Sequence, residues 1–254
     1  GGGAATSTQI RAVLDAEAET GTALPVDDAV VTYVKASFGD AEDGAGFFVQ
    51  AEQTGPALYV NVDPGVLDPM PAVGSVVSFE VTEVAFADDL KHAGSITSWA
   101  VESTGHAVDF LVQEVSDVDL GAGLGEYAAE LVTLSFEVAE APSGCGPSFR
   151  CAQITSSGRP TAAPELRFRA PETVWEGAAI DAGCTVELGP TPLWRFDTDA
   201  QPAAWDVADV EASCPVCEPA DRLVINEIDA DQPGSDTAEY VELYNGAADP
   251  VSLD

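Results

Sequence analysis

Between residues 27 and 103 the chain carries five short strand-like runs, at 30–34, 46–51, 57–62, 75–84 and 95–102, with Gly, Pro or Asp in every gap. Short runs rich in β-branched and aromatic residues, punctuated by turn-forming residues, read as strands. Five such runs at this spacing leave little room for helices and commit the segment to an all-β fold. Helix signals are confined to a short stretch at 9–18, and 64–71 fits a turn or a brief helical connection between the third and fourth strands.

The pattern then recurs. Leu131-Val132-Thr133 echoes Val30-Val31-Thr32, 149–154 echoes 48–52, and 166–169 echoes 58–61. Gly183-Cys184-Thr185-Val186 echoes Gly74-Ser75-Val76-Val77, and Ala204-Trp205-Asp206-Val207 echoes Trp99-Ala100-Val101. Strand order is kept while loops absorb the differences in offset. This predicts two homologous five-stranded units, 9–105 and 106–213, after a flexible linker at 1–8 and before a second linker at 214–221. Five strands with a connection between the third and fourth is the arrangement of the OB-fold, a partly open Greek-key barrel. The first unit resembles the oligonucleotide/oligosaccharide-binding modules of bacterial secreted nucleases and surface proteins. The resemblance lies in Val30-Val31-Thr32-Tyr33-Val34, Gly46-Phe47-Phe48-Val49-Gln50, Ala57-Leu58-Tyr59-Val60 and the Val73-Gly74 turn.

Residues 222–254 follow a different scheme. Val224-Ile225-Asn226-Glu227-Ile228, an acidic loop, and Ala238-Glu239-Tyr240-Val241-Glu242-Leu243-Tyr244-Asn245 followed by Val251-Ser252-Leu253 resemble the opening of a lamin tail domain. That resemblance implies the first strands of an immunoglobulin-like sandwich and a chain that is a fragment of a larger protein. In bacteria such domains are similar to modules attached to secreted nucleases, phosphoesterases and surface proteins. The implied setting is extracellular or at the cell surface, with a lipid anchor upstream of Gly1 as one arrangement.

Forty-four acids against nine bases give a formal charge of −35. The excess is spread along the chain, so it describes a solvated acidic surface and not an acidic tail. Such a surface keeps a protein soluble at high salt, where repulsion is screened, or binds divalent cations. Nucleic acid, whose binding depends on Lys and Arg at the phosphates, is not expected on the bulk of this surface. No stretch is long and apolar enough to span a membrane.

All five cysteines follow residue 144. Cys145 and Cys151 would close a short loop where the first two strands of the second unit meet. Cys184 opens its fourth strand and Cys214 follows its fifth, and these strands are antiparallel neighbours in an OB barrel, so topology pairs them. Bridges of this kind belong to an oxidising compartment. Cys217 is left over, either free or bonded elsewhere. The alternative, Cys214 and Cys217 as half of a zinc knuckle, needs two further ligands.

No catalytic motif is present, so the chain is expected to act by binding or as architecture, not as an enzyme; the alternative is the accessory region of an extracellular nuclease or phosphoesterase. The arginines are more informative. In Leu166-Arg167-Phe168-Arg169 alternation separates the arginines from the apolar residues, and Phe149-Arg150-Cys151 and Trp194-Arg195-Phe196 repeat the scheme. With the apolar partners inside the barrel, Arg150, Arg167, Arg169 and Arg195 would share its outer surface. Such a surface binds phosphate, sulfate or carboxylate groups, as in an anionic oligosaccharide; otherwise each arginine pairs with a nearby carboxylate. Asp229, Asp231, Asp236 and Glu239 are candidate calcium ligands, and no other cofactor is expected.

Overall fold

The computed structural model describes residues 3–38, 43–87, 89–215, 223–229 and 240–245. It divides into two compact units, Gly1–Cys214 and Pro215–Asp254.

The larger unit opens with helix α1 (Gly3–Asp15), followed by strands β1 (Thr20–Lys35), β2 (Gly46–Gln50), β3 (Leu58–Val60), β4 (Val76–Ala87) and β5 (Leu90–Ser103). The five strands close in the order β1-β2-β3-β5-β4, with β4 returning to β1 and a parallel contact between β3 and β5 at Val60 and Ala93. This is the OB barrel expected from the sequence. Phe47, Val49, Leu58, Val60, Val77, Phe79 and Val81 fill it, and α1 closes one end with Ile10 and Val13. The helix starts at Gly3, inside the stretch expected to be a linker. Its first turns are held by the Asp27 main chain: Thr6 Oγ1 donates to the Asp27 carbonyl at 2.6 Å, and the Asp27 N–H donates to Gln9 Oε1 at 2.9 Å.

The same order repeats: a short strand β6 (Gln113–Glu114), helix α2 (Leu120–Tyr127), β7 (Leu131–Val138), β8 (Ser143–Gly144), β9 (Phe149–Thr155), β10 (Arg167–Pro171), helix α3 (Glu172–Gly177), β11 (Thr185–Phe196), β12 (Asp199–Pro202) and β13 (Val210–Ser213). Strand β7 lies between β9 and β11, β10 pairs with β9, and both β12 and β13 pair with β11. Parallel bridges from Leu166 to Ala200 and from Arg169 to Ala203 bring β10 beside β12. Leu120 and Leu124 of α2 reach this core as Ile10 and Val13 of α1 reach the first.

Two matching turns show the duplication in atomic detail. Gly74 and Gly183 stand before β4 and β11 with φ of 79° and 82°. The Gly74 N–H donates to the Val31 carbonyl at 2.9 Å and the Val31 N–H to the Ser75 carbonyl at 2.8 Å; Gly183, Val138 and Cys184 repeat the exchange at 2.8 and 2.9 Å. The counterpart of Val31 is therefore Val138 and not Val132, the residue matched from sequence. A β-branched alternating run resembles itself at several offsets, and the glycine turn selects one of them. The fifth-strand echo is displaced as well. Residues 204–207 lie in an excursion between β12 and β13, so the second barrel's fifth strand is broken where the first barrel's is continuous.

Both expected disulfides are present, Cys145–Cys151 and Cys184–Cys214. Thr185 and Ser213 face each other in the β11–β13 ladder, which brings the two flanking cysteines together. Cys217 lies outside the described residues.

In the smaller unit β14 (Leu223–Asp229) and β15 (Tyr240–Asn245) form an antiparallel pair with Leu223 opposite Asn245 and Asp229 opposite Tyr240. Of the candidate calcium ligands, Asp229 ends β14, while Asp231, Asp236 and Glu239 lie outside the described residues.

Candidate functional site between the two barrels

The barrels of the larger unit meet through an aromatic cluster comprising Phe48, Tyr59, Phe149, Trp194 and Trp205 with Leu90, Ala57, Ala129 and Ala203. Ring pairs cross the contact: Tyr59 with Trp194 at 5.3 Å and Tyr33 with Trp205 at 5.3 Å between centroids. Such pairs contribute roughly 0.5–1.5 kcal/mol each beyond their buried area. Polar groups fix the register. Tyr33 donates to Asp209 Oδ2 at 2.7 Å, and the buried Gln50 amide oxygen accepts from the Leu131 N–H at 3.1 Å while its nitrogen donates to the carbonyls of Glu52 and Gln53. Burial, with Asp209 beside it, pushes the Tyr33 hydroxyl well above the usual phenol range.

This contact revises the arginine face. Phe149 and Trp194 do not enter the second barrel; they point out of it and are buried by the first. Ala152, Ile154 and Leu193 fill the interior instead, and alternation then sends Arg150 and Arg195 to the opposite side from Phe149 and Trp194. Arg150 pairs with Glu172, and Arg195 donates to the Asp197 carbonyl at 2.6 and 3.1 Å. Only β10 keeps the expected arrangement, with Phe168 inside and Arg167 and Arg169 outside. The rule that apolar side chains point inward fails on β9 and β11 because their outer face is itself an interface.

Arg167 and Arg169 open onto a cleft of about 690 Å³ between the barrels. One wall is Phe38, Asp43 and Gly44 from the β1–β2 loop, with Tyr59 and Asn61 at β3. The other is Gly144–Pro147 from the β7–β9 loop, Phe149, the two arginines, and Trp194, Phe196, Asp199 and Gln201 around the β11–β12 turn. On the second barrel these are the second and third strands with the 1–2 and 4–5 loops, the locus at which OB-folds bind oligonucleotides and oligosaccharides. The Cys145–Cys151 bridge closes the loop that forms this wall.

Charge inside the cleft is arranged around Asp43. Its carboxylate accepts from Lys35 Nζ at 2.8 Å and from Arg169 Nη2 at 3.3 Å. The Arg169 guanidinium lies 3.5 Å from the Phe149 ring centroid, a cation–π contact. Lys35 is fully buried and also donates to the Gly44 carbonyl; desolvation lowers its ammonium pKa, against the pull of Asp43. Burial raises the Tyr59 hydroxyl, and Asp43 adds to it. Arg167 differs from its neighbour: its Nε donates to the Pro164 carbonyl at 2.9 Å, and no carboxylate pairs with it among the described residues. Phe196 is half exposed at the rim. Sequence reasoning found the two arginines but not Asp43, Asn61 or Phe196, which meet them only through the packing of one barrel on the other.

No family model matches the sequence, and no curated protein matches it. Among solved structures, the chain is similar to the tetrameric p202 HIN2 at 12% identity and a TM-score of 0.38, over 78% of this chain and 95% of that one. It is similar to the p204 HINb domain at 10% identity and 0.36, over 78% and 98%. A murine DNA-binding protein bound with double-stranded DNA matches at 8% identity and 0.36, over 91% and 99%. Against the expectation that nucleic acid is not taken on the bulk of this surface, the structures the chain is similar to include DNA-bound ones. The charge of −35 is an average over the whole chain. Three of the nine bases, Lys35, Arg167 and Arg169, gather at this one cleft.

Proposed function

We propose that the 3–214 region is a non-catalytic binding module and that the inter-barrel cleft holds one nucleotide unit of a single-stranded nucleic acid. The observation that carries this reading is the coincidence of three features at the OB binding locus: an exposed ring at Phe196, Arg167 without a carboxylate partner among the described residues, and the Asn61 and Gln201 amides for base edges. A base stacks on an aromatic face while an arginine holds the adjoining phosphate. The cleft volume suits a ligand of nucleotide size.

The test is a titration of the 254-residue chain with hexathymidylate, followed by tryptophan fluorescence, since Trp194 lines the cleft. Phe196→Ala should weaken binding by about tenfold or more, as loss of one stacked base does, and Arg167→Ala by a similar factor. Absence of binding, or binding indifferent to both substitutions, overturns the reading.

The finer setting, a region of a secreted or cell-surface bacterial protein or of an extracellular nuclease or phosphoesterase, is supported by the resemblances in the sequence. The two disulfides support an oxidising compartment. Peptide mapping of the natural protein without reductant should recover both bridges.

A further inference from the structure

Resting on that reading of the cleft, we propose that Gln201 is its specificity-determining residue: its side-chain amide pairs with the Watson–Crick edge of a base, so the cleft takes an unpaired base of any kind and excludes a paired one. Gln201 lies on β12 opposite Trp194 of β11, and cross-strand partners share a face. Its neighbour Ala200 belongs to the core of the second barrel, so alternation turns Gln201 outward, beside Trp194 and into the cleft. The residue is 6% exposed, yet its side-chain amide has no hydrogen-bond partner among the described residues.

Buried amides are normally satisfied. Gln50, also buried at the contact between the barrels, is: its oxygen accepts from the Leu131 N–H at 3.1 Å, and its nitrogen donates to the Glu52 and Gln53 carbonyls at 2.9 and 3.1 Å. Asn61, on the opposite wall of the cleft, has one end committed, its Oδ1 accepting from the Tyr59 hydroxyl at 3.2 Å. Nor are the polar atoms of Gln201 sealed inside the protein, as Thr191 Oγ1 and Trp205 Nε1 are. A side chain more than nine-tenths buried thus opens both a donor and an acceptor onto the cleft. A primary amide sets an N–H beside a C=O, and each Watson–Crick edge offers the complement: N3–H beside O4 on thymine, N4–H beside N3 on cytosine, N6–H beside N1 on adenine, N1–H beside O6 on guanine. A half-turn of the amide exchanges its ends and follows whichever order a base presents. Gln201 therefore does not choose among bases. It chooses against pairing, because in a duplex the same edge atoms are already engaged.

The experiment titrates the 254-residue chain with hexathymidylate and with the matching hexamer of N3-methylthymidine, which keeps the ring and the backbone charge but blocks the N3–H. Wild type should bind the methylated strand about tenfold or more weakly, the discrimination one bidentate pair provides. In Gln201→Met, with Gln201→Leu measured beside it as a second apolar replacement, hexathymidylate should weaken by a similar factor and the difference between the two strands should fall below about twofold. Hexacytidylate and hexaadenylate should bind wild type within about tenfold of hexathymidylate. If wild type binds both thymine strands equally, or if the difference survives in both variants, the role of Gln201 is overturned while the cleft stands. If both variants weaken the two strands by one common factor, Gln201 is structural only and the inference fails. A larger preference for a single base would mean that one fixed edge is read, which also overturns it. If hexathymidylate does not bind wild type at all, the reading of the cleft falls and this inference falls with it.

Discussion

Glu130 offers a stringent test of the packing between the barrels. It sits in the turn from α2 into β7, its N–H donating to the Tyr127 carbonyl and its own carbonyl accepting from Leu193. Its side chain accepts from the Gln113 amide and is 3% exposed. Burial pushes its carboxyl from 4.5 up to about 8, with Glu126 adding to the rise and Gln113 and Arg11 opposing it. The folded state therefore holds a proton that the unfolded chain releases. Below pH 4.5 both states are protonated and the favourable neutral form is fully present; as pH rises to about 8 this stability is lost. At about 1.4 kcal/mol per unit the loss approaches 4–5 kcal/mol, and part of it is complete by pH 7. Glu130→Gln keeps the shape and removes the titration. Urea unfolding between pH 4.5 and 8.5, followed by tryptophan fluorescence, reads only the larger unit, because all four tryptophans lie between residues 99 and 205. The difference between variant and wild type should grow in favour of the variant by about 1.4 kcal/mol per unit and level off above pH 8. Two parallel curves would show that Glu130 is solvated or charge-paired and that the buried-carboxyl argument is wrong.

Other expected outcomes follow from single features. Gly74→Ala should cost about 2 kcal/mol or more in the same urea assay, because φ is 79° and an added Cβ would run into the His106 carbonyl oxygen, well inside van der Waals contact. Replacing Cys184 and Cys214 together by Ala should lower stability by about 2–4 kcal/mol, measured against wild type under oxidising conditions. Raising sodium or potassium chloride from low to molar concentration should raise the melting temperature by the same amount for either salt, since screening of the acidic surface shortens from about 10 Å at 0.1 M to about 3 Å at 1 M. A rise seen with calcium alone would instead identify a specific cation site.

Strand order, barrel type and both disulfides were legible because each depends on local alternation and on the position of Gly, Pro and Cys. Phe47, Val49, Leu58 and Val60 point inward as their spacing requires. The register of the first-strand repeat was not legible, because Val31 matches Val132 as well as Val138 in residue type and only the Gly74 and Gly183 turns separate them. The arginine face was half legible. Phe168 behaves as an alternating strand residue should, whereas Phe149 and Trp194 satisfy the same pattern by being buried from outside. A sequence states that a side chain is apolar, not which of two neighbouring cores receives it. Asp43 illustrates the same gap: one acid among forty-four carries no signal until Lys35 and Arg169 are placed on either side of it.

The broken fifth strand of the second barrel has a consequence for how such modules can be combined. In the first barrel that strand runs unbroken through its 14 residues. In the second it pauses after Pro202, and the excursion carries Trp205 and Asp209 onto Tyr33. The docking element therefore exists in only one member of the pair, and the surface that receives it is already occupied. A further copy added at either end would find no free receptor of this kind. The duplication thus closes on itself as a directional couple instead of growing into a string of beads, and exchanging the order of its halves along the chain would forfeit the joint that creates the cleft.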